Sequence, residues 1–292
     1  MRDSAGSSQA VQAPSRVTVA AVAAVGALAT VELARRAPAL SGATWTRINH
    51  RGMPVSLVAG PVAALSATLV AAAALPARMR APALLLGLVS GAVGLHDDIV
   101  GARPDQSRDK GFRGHLRALR SGRVSTGALK VVGVVGASMV AAGSVSTGPA
   151  DRILAAGVMA GTANLVNLLD LRPGRAAKVS ALCAAATLGG PAAGASAAVL
   201  GTSLAVLPAD LAELVMLGDS GANALGALLG YRLAAGSGPL LRAGMLAVLV
   251  ALTAAAELVS FTRVIEATPG LRDLDRWGRM PVERPSSSPQ MS

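Results

Sequence analysis

Three short polar motifs interrupt a largely apolar chain, and each carries an aspartate. Gly94-Leu95-His96-Asp97-Asp98 sets two carboxylates side by side. Asn164-Leu165-Val166-Asn167-Leu168-Leu169-Asp170 places a polar oxygen at every third residue. Gly218-Asp219-Ser220-Gly221 flanks a carboxylate with glycines. Adjacent carboxylates at a membrane boundary resist desolvation unless a proton, a cation or a basic partner meets them. Mg2+ is one such cation, binding one or two carboxylates together with phosphate oxygens. An ordinary solvated loop start is the plainer account of Asp97 and Asp98. Spacings of three put Asn164, Asn167 and Asp170 on roughly one helical face. Amides there either bond a neighbouring helix or read a ligand and complete a metal shell. A glycine-flanked aspartate before a helix permits close backbone approach and leads to an N-terminus suited to phosphate. An N-cap role for Asp219 or Ser220 is the simpler expectation. Gly-Asp-Ser-Gly also surrounds the nucleophile of chymotrypsin-like proteases. Those are soluble β-barrels, and His50, His96 and His115 have no evident triad setting here.

The elements that must position these motifs are apolar helices. Hydrophobic residues make up 52% of the 292, charged residues 15%, and mean hydropathy is +0.53. A soluble domain carries about 25% charge. The apolar residues run in long blocks, which implies lipid as solvent. Nine blocks are legible: Val17–Ala34, Val55–Leu75, Ala81–Leu95, Gly127–Val145, Ile153–Leu169, Ala176–Gly190, Ala193–Leu207, Ala222–Ala235 and Leu240–Phe261. The expected fold is an all-α, polytopic transmembrane bundle. Residues 1–16 form a disordered tail, 17–261 the membrane domain, and 262–292 a polar cytoplasmic tail with a loose Pro/Ser-rich end.

Net charge is +11. In this setting it speaks for orientation and anionic ligands rather than nucleic acid. If the loop after each odd-numbered block is cytoplasmic, all but seven of the 27 Lys and Arg (Arg2, Arg16, Arg78, Arg80, Arg152, Arg232 and Arg242) lie inside. That bias predicts an outside N-terminus, nine spans and an inside C-terminus. It also puts all three acidic motifs on the cytoplasmic face. The loop from Arg103 to Lys130 is strongly basic. It is either a lipid-attracted loop or a clamp for phosphates. Cys183, the one cysteine, excludes a disulfide framework and is expected as a small buried side chain.

Taken in order, the Asp-Asp pair after the third block, the Asn-x-x-Asn-x-x-Asp stretch after the fifth and the Gly-Asp-x-Gly turn after the seventh resemble the polyprenyl-phosphate N-acetylhexosamine-1-phosphate transferases. Lys110-Gly111-Phe112-Arg113 looks like that family's Lys-Gly loop, and Arg51-Gly52-Met53-Pro54 more loosely like its first cytoplasmic loop. The resemblance spans about Arg47 to Phe261. It implies Mg2+-dependent transfer of a sugar 1-phosphate from a UDP-sugar to a polyprenyl phosphate, with UMP released. It assigns Asp219 and Asp98 to the metal, with Asp97, Asp98 and Asp219 catalytic. Asn164, Asn167 and Asp170 go to the nucleotide, and Lys110, Lys130 and Arg51 to substrate phosphates. The implied partners are the lipid, the nucleotide sugar and the membrane, and a homodimer is compatible. The chain departs from the family where Pro173 replaces a second aspartate. It also lacks the histidine cluster after the ninth span, where Arg263 and Glu266 stand, and it has no tenth span. These departures suit a second reading: a non-catalytic relative that binds polyprenyl lipid or scaffolds envelope proteins.

Overall fold

A computed structural model describes residues 14–37, 40, 42–101 and 126–281. Among them are eleven α-helices: α1 Arg16–Arg36, α2 Ala59–Ala74, α3 Ala77–Val100, α4 Thr126–Ala142, α5 Pro149–Leu169, α6 Arg175–Ala186, α7 Ala193–Leu211, α8 Gly218–Ala235, α9 Pro239–Leu258, α10 Phe261–Ala267 and α11 Pro269–Arg276. The first nine coincide with the nine apolar blocks. Five of them (α1, α3, α5, α7 and α9) are long and apolar enough to cross a membrane. Helices α2 and α4 are apolar but shorter.

Proline and glycine set several boundaries. Pro149 and Pro239 open α5 and α9 after glycines, where a proline's missing N–H costs nothing. The second block starts late as a helix. Pro54–Ser56 pairs instead with Thr46–Ile48 as an antiparallel hairpin, β1 and β2, and the helix begins at Ala59. Ser56 extends this ribbon by a parallel bridge to Val215, between α7 and α8.

Helix α8 is the axis of the bundle. Leu225, Leu228, Leu229 and Tyr231 are almost wholly buried, and α8 packs on α2, α3 and α5. Gly226 and Gly230 press α8 onto α5. A Cβ at either would lie 2.7 or 2.6 Å from the Ala163 or Met159 Cα. Small residues four apart bring backbones together in this way where lipid offers no hydrophobic drive. Helix α9 rests on α5 with most of its surface outward. Cys183, expected to be buried, lies on the outward face of α6. The other face of α6 packs on α7, and a free cysteine, a small side chain with only a weak donor, loses little by facing outward.

The polar stretch after Thr262 is docked on the bundle as far as Pro281. Asp275 of α11 takes a bidentate pair from Arg175, at 2.8 and 3.1 Å. Thr262 accepts from the same guanidinium at 3.1 Å. The Lys178 ammonium donates to the carbonyls of Leu274, Asp275 and Trp277. Arg279 holds Asp275 and the Pro173 carbonyl. The loose end expected from Arg284 lies outside the described residues.

Candidate functional site

The last turn of α3 meets the first turn of α8. A Cβ at Gly94 would lie 2.3 Å from the Asp219 carbonyl oxygen, so only glycine permits this crossing. With the backbones this close, Asp98 reaches over the start of α8. The Asp219 and Ser220 N–H groups each donate to one of its carboxylate oxygens at 3.0 Å. Ser220 Oγ donates back to the Gly91 carbonyl at 2.9 Å. Gly218, at φ +57°, turns the chain into the helix. The cap expected from Asp219 or Ser220 is therefore supplied from α3. The open N–H groups of a helix start favour a carboxylate, and Asp98 takes the place foreseen for phosphate.

Beside this cap, Lys130 of α4 lies between Asp97, at 2.8 Å, and Asp219. All three side chains are largely shielded from solvent. Lys130, assigned by resemblance to substrate phosphate, here holds two aspartates. Two carboxylates sharing one ammonium keep a net negative charge.

The α5 motif divides. Asn164 donates to Thr253 Oγ1 of α9 at 3.0 Å, the interhelical bond weighed above. Asn167 Oδ1 and Asp170 Oδ2 are buried and accept no hydrogen bond from the described residues. Burial raises the Asp170 carboxyl well above the ordinary carboxylate range. The charges of Asp210, Asp219 and Asp98 add to that, while the Gly218 N–H opposes it.

A cavity of about 310 Å3 opens between the hairpin, the turn after α5 and the link from α7 to α8. Asp98, Asp170, Asp210, Glu213, Arg47, His50 and Arg172 contribute to its wall. Burial lowers the His50 imidazole, and Arg172 adds to the effect. Four of these residues had not been singled out from sequence. Asp210 follows the seventh apolar block, and the rule that gathered the other acids at inner ends of odd-numbered blocks would have found it. Glu213, in the same link, falls under the same rule, whereas Arg172 and Arg47, which donates to the Asp98 carbonyl, carry no such signal. Glu213 has φ +56°, a strained value for a non-glycine residue. It accepts from Asn49 and, at 2.8 Å, from Arg51. Arg51 thus fastens the hairpin to the α7–α8 link. Lys110 lies outside the described residues.

The donors gathered here suit Mg2+. They are carboxylate and amide oxygens, the hard ligands it prefers, and two of them are buried without a hydrogen bond. Among the described residues no three His, Cys, Asp or Glu side chains form a ready cage. Mg2+ seldom uses one and fills its shell with water and substrate phosphate. No family model matches the sequence, and neither does any curated protein.

Proposed function

We propose that the chain transfers a sugar 1-phosphate, of N-acetylhexosamine type, from a UDP-sugar to a polyprenyl phosphate in cell-wall or surface-glycan synthesis. The observation that supports this reading is convergence. Acidic residues from α3, the end of α5 and the start of α8, separated by up to 122 residues, meet at one end of an apolar bundle beside a cavity. In this reading nine helices span the membrane, with the N-terminus outside and the site on the cytoplasmic face.

An oxygen of the lipid phosphate attacks the β-phosphorus of the UDP-sugar. The bond from that phosphorus to the bridging oxygen breaks, and UMP leaves. Such transfers rest on positioning and charge stabilisation. Asp97 receives or orients the attacking phosphate. Asp98 fixes the first turn of α8 and so the position of Asp219. Lys130 moves its charge from the aspartates toward the diphosphate. Asn167 and Asp170 meet the nucleotide. When bound, Mg2+ supplies charge neutralisation of the diphosphate, held by Asp219 with Asp98.

The test is UMP release from UDP-N-acetylhexosamines by membranes containing polyprenyl phosphate. Asp219→Asn is expected to lower the Mg2+-dependent rate by roughly 100-fold or more. An undiminished rate in that variant would remove the assignment. The engagement of Lys130 by both Asp97 and Asp219 favours the second reading, a lipid-binding relative without catalysis. UDP-sugars would then leave the Tm of the detergent-solubilised protein unmoved, with or without Mg2+.

A further inference from the structure

We propose that Asp170 and Asp210 form a divalent-cation site distinct from the Asp97–Lys130–Asp219 group. Most buried side-chain atoms that lack a hydrogen bond among the described residues are hydroxyls, which rotate to find an acceptor. The exceptions are three acceptor oxygens: Asn167 Oδ1, Asp170 Oδ2 and Asp210 Oδ2. Both aspartates line the same cavity. Asp210 is 3% exposed. The backbone N–H of Gly218 steadies Asp170, and that of Gly174 steadies Asp210, so neither carboxylate is free to swing out to water.

Among the described residues, Arg279 and Lys178 lie near enough to act on Asp210, but each is also engaged by other groups. Arg279 is held by Asp275 and the Pro173 carbonyl. Lys178 is held by three carbonyls. Lys130 is held by Asp97 and Asp219, and Arg51 by Glu213. Arg172 turns to the Leu171 carbonyl. Asp98 spends its oxygens on the start of α8. Two fixed carboxylates facing one cavity, each with an oxygen unpaired among the described residues, match a divalent ion in charge. Two hard carboxylate donors favour Mg2+ or Mn2+ over softer ions. This inference stands whether or not the chain is a transferase.

The experiment is Mn2+ titration of the purified full-length protein in detergent without nucleotide, read by the EPR signal of free Mn2+. Wild-type protein is expected to take up the ion. Asp210→Asn and Asp170→Asn should each weaken uptake by roughly 10- to 100-fold or more, at least the loss seen when an outer-shell partner is removed. Glu32→Gln, in an exposed ion pair on α1, should leave it unchanged. Asparagine is isosteric with aspartate, and monodisperse elution with an unaltered circular dichroism spectrum checks the fold. If one variant fails that check, the other reads the same site from a different helix. Wild-type protein that binds no Mn2+ overturns the proposal. So does uptake lost in Asp219→Asn but kept in the other two, which would move the ion to the Asp219 group and leave the transferase reading intact.

Discussion

Helix α5 carries an aspartate near each end, and the two live in opposite electrical circumstances. At its start, Asp151 pairs with Arg242 of α9 through both oxygens at 2.6 Å. The Thr147 N–H and hydroxyl also donate to it. Arg242 spends its remaining donors on the carbonyls of Ala234 and Val145. Every charge there is matched and nearly every hydrogen bond is made. Just past its other end, Asp170 has an oxygen with no donor among the described residues and three aspartates for neighbours. Saturated buried pairs hold helices together. Buried polar groups left unsatisfied destabilise a fold, and they persist where something else must bind.

The comparison breaks most visibly at the saturated end. Asp151→Ala leaves a guanidinium buried without its carboxylate, and removing one partner of such a pair costs about 3–5 kcal/mol. Thermal unfolding in detergent should show the largest loss of Tm of any single change considered. The double variant Asp151→Leu with Arg242→Met should recover most of it, because a buried pair is worth little over apolar packing of similar volume. A double variant as unstable as the single one would mean that the pair does more than satisfy itself.

Much of this contrast was legible in the sequence, for a physical reason. Apolar runs long enough to bury a helix must be helical in lipid, so nine blocks gave nine helices. The acids at the ends of the third, fifth and seventh blocks lie near one another, as expected. What the sequence withheld were pairings set by which faces pack. Asn164 turned to Thr253, Lys130 to two aspartates, and Arg51 to Glu213. None of these follows from spacing along one helix. Arg175 and Lys178 read as loop cations, yet both are buried against α11. Their partners lie about a hundred residues away, and polar composition alone could not reveal that a tail would dock.

The same isosteric change should act with the opposite sign at the unsatisfied end. Asp170→Asn removes a buried carboxyl that has one oxygen unpaired among the described residues and three aspartates beside it, so in EDTA the variant should be more stable than wild type. A gain of roughly 0.5–2 kcal/mol is typical of relieving a functional site. Asp151→Asn, measured alongside, should lose stability. If Asp170→Asn also loses, the carboxylate has a structural partner, and the distinction between the two ends fails.

The smallest effect is expected at the docked C-terminal segment, which sharpens the comparison from a third place. Burial alone would raise the Asp275 carboxyl, but the paired N–H groups of Arg175, with Arg279 and Lys178 beside it, hold it below the ordinary carboxylate value of 3.8. A depressed carboxylate contributes stability that is present above its unfolded value and is lost as pH falls through its folded one. The clamp should therefore stay closed at neutral pH and loosen only below about pH 4. Trp277 reports on it, since its carbonyl accepts from Lys178. Its fluorescence, read in a Trp45→Phe background, should change in that acid window before the bundle unfolds. Asp275→Asn should loosen the segment at neutral pH and abolish the acid transition. A transition that survives in Asp275→Asn would assign the acid sensitivity to another carboxylate and leave this one, like Asp151, a partner in a matched and silent pair.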